Sequence, residues 1–102
     1  MPQTSFSNSS LPIVCIQGLG FVGAAMAVSV ASARDAEGLP IFNVFGVDLS
    51  NPCGLAAIAA LNEGRFPNPT TDAKLMSATK QAKEDGNLVA TSDESVYGLA
   101  EV

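Results

Sequence analysis

Histidine is absent from this chain of 102 residues, and with it go the commonest general base and the commonest metal ligand. Tryptophan is absent too, and aromatic residues amount to 6%, so a core has to be built from Ala, Val, Leu and Ile. Lysine and arginine together number five against ten acidic residues, for a net charge of −5. The five are scattered, so no patch stands ready for a phosphate backbone, and nucleic acid is not an expected partner. Two cysteines, Cys15 and Cys53, are too few for a disulfide framework or a zinc site; Cys15, in an apolar run, reads as a small core residue, and both read as buried, inert thiols. No metal site is expected, and no residue of the chain is assigned a catalytic role.

What the sequence does have is an apolar run over residues 13–33, "IVCIQGLGFVGAAMAVSVASA", without a single charge. Its length is that of a membrane-crossing helix, about 20 residues. A secretion signal needs a basic start, and the first basic residue is Arg34, after the run. The composition also changes twice along it. "PIVCIQ" is rich in β-branched residues and strand-like, "GLG" breaks regularity, and "FVGAAMAVSVASA" is Ala-rich and helix-forming. A strand, a glycine turn and a buried helix account for all three parts, whereas one spanning helix accounts for neither transition. The membrane and secretion readings are set aside on that ground.

Residues 1–11 are polar and Ser/Asn-rich and read as a disordered leader, with a partial dinucleotide-binding domain over 12–102. The first strand is expected over 12–17, and the first helix from 21 to about 33. That helix is apolar nearly all round, so burial on more than one side is expected. A polar turn, "RDAEGLP", precedes a second strand over 41–48. Asn51 and Pro52 mark a helix start, "LAAIAALNE" follows with Leu55, Ile58, Ala59 and Asn62 on one face, and Gly64 sits where a left-handed cap belongs. Thr71 or Asp72 caps a third helix that Gly86 ends. A short third strand is expected over 87–91, then a further helical turn. Strands alternating with helices predict an α/β fold: Rossmann-like, three-layer αβα, with a short parallel sheet of about three strands.

The three glycines form G-x-G-x-x-G, Gly18-Leu19-Gly20-Phe21-Val22-Gly23, between an expected strand and an expected helix. Gly18 permits the tight turn, Gly20 leaves room for a diphosphate, and Gly23 lets helix and strand approach. The free N–H groups at the helix start then face the phosphates, so an anion can bind although the chain is acidic overall. The second half of the fingerprint is an acid at the end of the second strand. Asp48 stands 25 positions beyond Gly23, the excess fitting the polar insertion around "RDAEGLP". A carboxylate there accepts from ribose hydroxyls and repels a 2′-phosphate, and no Arg lies between Leu49 and Gly64 to receive one. NAD is therefore the expected cofactor, and Gly18, Gly20, Phe21, Val22, Gly23 and Asp48 are the candidate cofactor-binding residues.

Several stretches together resemble one family. "GLGFVGAAMA", "VFGVDLS", "LAAIAALNEGRFP" and "GNLVATSDES" are similar, in order, to the N-terminal NAD-binding domain of UDP-glucose/GDP-mannose-type (nucleotide-sugar) dehydrogenases. The glycine turn is generic, and "ALNEGRFP" and "GNLVATSD" are the more specific pieces. The match looks closest to bacterial members that serve polysaccharide biosynthesis. The resemblance implies a cytoplasmic oxidoreductase that takes a UDP- or GDP-sugar primary alcohol to the uronate, with NAD as hydride acceptor. It implies that the catalytic cysteine, a lysine and the sugar-binding residues lie in downstream segments this chain does not have. The 102 residues alone are then expected to bind NAD weakly and catalyse nothing. Many relatives carry a basic residue where Cys53 stands. The alternative is a stand-alone Rossmann-like nucleotide-binding or interaction module. In a complete fold of this type a fourth strand flanks the first; without it the first strand is an open apolar edge, and a homo-oligomer paired through that edge is expected.

Overall fold

The computed structural model describes residues 6–8 and 10–100. Three parallel strands, β1 (Ile13–Gln17), β2 (Asn43–Val47) and β3 (Leu88–Thr91), lie in the order β1-β2-β3, with Val14 opposite Val44 and Val44 opposite Leu88. Helix α1 (Phe21–Ala31) connects β1 to β2, and α2 (Pro52–Asn62) and α3 (Ala73–Asp85) connect β2 to β3. A 3-10 helix, Glu94–Leu99, follows β3.

The central strand shows how the sequence is divided between two faces. Side chains alternate across a strand, and every residue of β2 is buried. Val44 joins Ala27, Val28, Ala31, Leu61, Ala82, Leu88 and Ala90 in a core under α1, α2 and α3. Phe45 and Val47 face the other way, onto Val89 of β3 and Val96 of the 3-10 helix. Gly46 supplies the exception that shapes the site: a Cβ there would stand 2.9 Å from a Leu19 methyl. A missing side chain in the middle of a strand, costly for the strand itself, makes the socket for Leu19, which is 2% exposed.

The helix ends follow local chemistry. The Asn51 side chain accepts from Gly54 N at 2.7 Å, with Pro52 at the first helical position. Asp72 settles the start of α3, accepting from Lys74 N and Leu75 N. Gly64 and Gly86, at φ 82° and 71°, take the left-handed geometry that closes α2 and α3. Arg34 and Asp85 form an ion pair that ties the segment after α1 to the end of α3.

The two sheet edges differ. On the β3 side, Asn62 of α2 acts as a surrogate strand: its Nδ2 donates to Ala90 O and its Oδ1 accepts from Ala90 N, both at 2.9 Å. β1 is the other terminal strand, half-buried along most of its length. Helix α1 buries Ala24, Ala27, Val28 and Ala31 against the sheet, yet Phe21, Val22 and Met26 are exposed at 48%, 75% and 51%. The expected burial on more than one side is thus corrected: the sheet and α3 cover one side of α1, and among the described residues no layer packs on the other.

The expected leader spans residues 1–11, of which 1–5 and 9 lie outside the described residues. Its described part meets the sheet. The Phe6 ring packs on Phe45 at 4.7 Å, Ser7 N donates to Gly86 O at 3.0 Å, and Asn43 Nδ2 donates to Asn8 O at 2.7 Å.

Candidate functional site

The C-terminal ends of β1 and β2 carry the site. Gly18 leaves β1 at φ 85°, a left-handed conformation that a side chain would strain, and its N–H donates to Val47 O at 2.7 Å. The chain then dips so that Leu19 fills its socket, and α1 begins with Gly20 as N-cap. Gly23 is indispensable to this geometry: a Cβ there would stand 1.8 Å from Gly18 O. Gly20 is different in kind, since a Cβ there would meet nothing within 4 Å. The space above Gly20 is a cradle that a side chain would fill, and nothing in the described chain needs it open.

The start of α1 also lacks a side-chain cap. Asn51, Asp72 and Asp93 cap the other three helices. The uncapped amides and the positive end of α1 therefore face the open side of the glycine turn. The Phe21 ring packs edge-on against Phe66, centroids 5.3 Å apart. Val22 projects to solvent, 75% exposed.

Asp48 ends β2 beside this turn. Its Oδ2 accepts from Leu19 N at 2.9 Å and its Oδ1 from Leu49 N at 2.7 Å. The carboxylate thus holds the glycine turn against the strand, a role its position in the fingerprint does not disclose. An ionised carboxylate offers about four acceptor directions, so both oxygens keep capacity for a further donor.

Two clefts meet at Asp48. One, about 240 Å³, lies among Gln17, Gly18, Leu49, Glu94 and Tyr97. The other, about 410 Å³, runs past Gly20, Asn51, Cys53 and Asn68 between the starts of α1 and α2. Gly54 allows α2 to begin this close, since a Cβ there would stand 1.9 Å from Leu49 O. Asn68 reaches across from the loop after α2 and donates to Leu19 O at 3.5 Å. Of the sequence-predicted residues, Gly18, Gly20 and Asp48 line these clefts, and Phe21, Val22 and Gly23 do not.

Leu49, Gly54, Asn68, Glu94 and Tyr97 escaped the sequence reading. The signal for the last two was their place just beyond β3, because ligands of open α/β sheets bind outside the carboxyl ends of the strands. The expected burial of Cys53 is corrected: it opens α2 at the surface and is exposed at its cleft, while Cys15 is half-buried and donates to Val96 O at 3.5 Å, and burial pushes its thiol above the ordinary value. Among the described residues, no three His, Cys, Asp or Glu side chains gather where they could hold a metal ion, and no helix is long and apolar enough to cross a membrane.

The parallel sheet, the layers on its two faces and the glycine turn that opens α1 define a Rossmann-like α/β unit. No family model matches the chain, and no curated protein matches it. Among solved structures it is similar to the crystal structure of NDP-N-acetyl-D-galactosaminuronic acid dehydrogenase from Methanosarcina mazei Go1, with a TM-score of 0.70 and 25% identity over 81% of this chain. The chain covers 16% of that protein's length. The resemblance to the UDP-glucose/GDP-mannose dehydrogenase family, carried in sequence by the motifs, is thereby shown in the fold as well.

Proposed function

We propose that this chain is the NAD-binding portion of a nucleotide-sugar 6-dehydrogenase. The observation that carries the reading is the pairing of the open cradle at Gly20 with the Asp48 carboxylate between two clefts. The amides at the start of α1 receive the diphosphate, Asp48 accepts from the adenosine ribose, and Gly18 and Gly23 hold the turn that brings them together. Bound NAD supplies a hydride acceptor. The chain's own part is to bind and orient it. Cys15 lies under the 3-10 helix and Cys53 at the start of α2, and neither is assigned the family's covalent chemistry, so the 102 residues alone do not turn over a nucleotide sugar. The sugar and the remaining catalytic groups belong to the full-length enzyme, placed in the cytoplasm and in polysaccharide biosynthesis.

Asp48 favours NAD over NADP, since a 2′-phosphate would meet a carboxylate. Self-association follows from the edges: Asn62 closes the β3 side, while β1 and the exposed Val22 and Met26 of α1 face outward. The test is calorimetric titration with NAD, NADP and a UDP-sugar side by side. Saturable binding of NAD, weaker by about tenfold or more for NADP, with no heat from the UDP-sugar, is the expected pattern. Equal affinity for NADP, or binding of the UDP-sugar alone, overturns it.

A further inference from the structure

We propose that residues 6–8 form a releasable strap on the face of the sheet opposite the three α-helices. Docked, the strap covers Phe45 and the thiol of Cys15; released, it opens both to solvent. It crosses the N-terminal ends of the strands, away from the glycine turn, and stands independently of the NAD reading.

The two faces of the sheet are covered unequally. Helices α1, α2 and α3 all contribute to the core around Val44. On the other face Phe45, Val47 and Val89 come from the strands themselves. Among the described residues, that cluster gains from outside the sheet only Val96 of the 3-10 helix and Phe6. Cys15 stands opposite Phe45 in the strand register and packs in the same cluster. A parallel sheet is normally covered on both faces, so this one depends on a short segment for part of its cover.

The segment is held at three points. The Phe6 ring packs on Phe45, Ser7 N donates to Gly86 O, and Asn8 O accepts from Asn43 Nδ2. Gly86 is suited to this contact, since a Cβ there would stand 1.9 Å from Ser7 Oγ. The glycine that closes α3 therefore also makes room for the strap.

The same contacts explain why the strap can leave. Asn43 is buried, its Nδ2 bonds to the strap, and its Oδ1 has no partner among the described residues. A buried acceptor without a donor opposes the docked state, and water reaches it on release. Ordering residues 6–8 also costs conformational entropy. They carry no charged side chain, so no ion pair adds to the hold. One ring and two hydrogen bonds work against these costs, which is the balance of a segment that opens locally while the fold persists.

The assay is the rate at which iodoacetamide modifies Cys15 in the full chain, read by mass spectrometry with exposed Cys53 as internal reference. Two variants loosen the strap separately: Phe6→Ala removes the ring, and Ser7→Pro removes the N–H that reaches Gly86. Phe6→Ala should speed modification of Cys15 about tenfold or more. Ser7→Pro should speed it about three- to tenfold, with Cys53 unchanged in both. Ser7→Pro leaves the core side chains as they are, so misfolding of Phe6→Ala leaves the test intact. The wild-type chain adds a check that needs no variant. Opening of the strap alone exposes little surface, so low urea should leave the Cys15 rate nearly flat, whereas modification through whole-chain unfolding climbs steeply. A Cys15 rate that neither variant changes, or a wild-type rate that climbs with urea in parallel with unfolding, would overturn the strap.

Discussion

Exchanging single glycines for alanine in the turn separates architecture from ligand binding. At Gly23 the added methyl would lie 1.8 Å from Gly18 O, against an ordinary contact of 3.4–4 Å. The obstacle is backbone, and it is the same Gly18 whose N–H is bonded to Val47, so the turn must retreat by well over an ångström or α1 must lift from the sheet. Forcing atoms into a packed site typically costs about 1–3 kcal/mol, and more where backbone has to move. For a domain of this size each kcal/mol lowers Tm by roughly 4–8 °C, so Gly23→Ala should melt about 5–20 °C below the parent. Gly20→Ala meets nothing within 4 Å. Its cost is the poorer N-cap, a few tenths to ~1 kcal/mol, or no more than about 8 °C. It should instead weaken NAD about tenfold or more, because the methyl occupies the space a diphosphate needs. The assay is a circular-dichroism melt paired with calorimetric titration for each variant. A Gly23→Ala protein as stable as the parent would refute the steric reasoning. A Gly20→Ala protein that binds NAD undiminished would refute the cradle.

Further outcomes follow from neighbouring groups. Asp48→Asn keeps one acceptor oxygen but loses the charge, so NAD affinity should fall about tenfold or more and the preference over NADP should shrink, which the same titrations measure. Maleimide should label exposed Cys53 well before Cys15, and mass spectrometry after brief exposure would contradict this by finding Cys15 modified first. Cys15 and Tyr97 are both raised in the folded chain from ordinary values of 9.0 and 10.0. Above pH about 9 the unfolded chain therefore binds fewer protons than the folded one, so their stabilisation is complete below that pH and is lost as pH rises through the folded values. A Tm that stays flat or climbs from pH 8 to 11 would count against it. Light scattering should show concentration-dependent association, and a monomer at high concentration would remove β1 as a pairing edge.

Local signals in the sequence carried most of the fold. Asn51-Pro52, Asp72 and the glycines at 64 and 86 act through bonds and φ angles within a few residues, so the bounds of α2 and α3 follow from them directly. The three glycines of the turn were legible for the same reason. What depended on distant partners was not. The apolar circumference of α1 suggested burial on more than one side, but among the described residues no layer covers Val22 and Met26. Gly46 reads as a weak strand residue until Leu19, 27 positions earlier, is seen filling its place. Asn62 looks like one member of a helix face, and only the fold brings it to Ala90 as a substitute strand. Asp48 was expected as an acid for a ribose, but its bond to Leu19 N emerges only when turn and strand stand side by side.

The central claim is that amides at the bend between β1 and α1 receive a dinucleotide diphosphate. The most direct measurement is a titration of the isotope-labelled chain with NAD, followed residue by residue through amide proton–nitrogen chemical shifts. Saturable shifts centred on residues 18–23 and on Asp48 and Leu49 are expected, with the amides at the start of α3 unmoved. Shifts absent from 18–23, or concentrated at the far end of the sheet around Asn43 and Asn87, would contradict it.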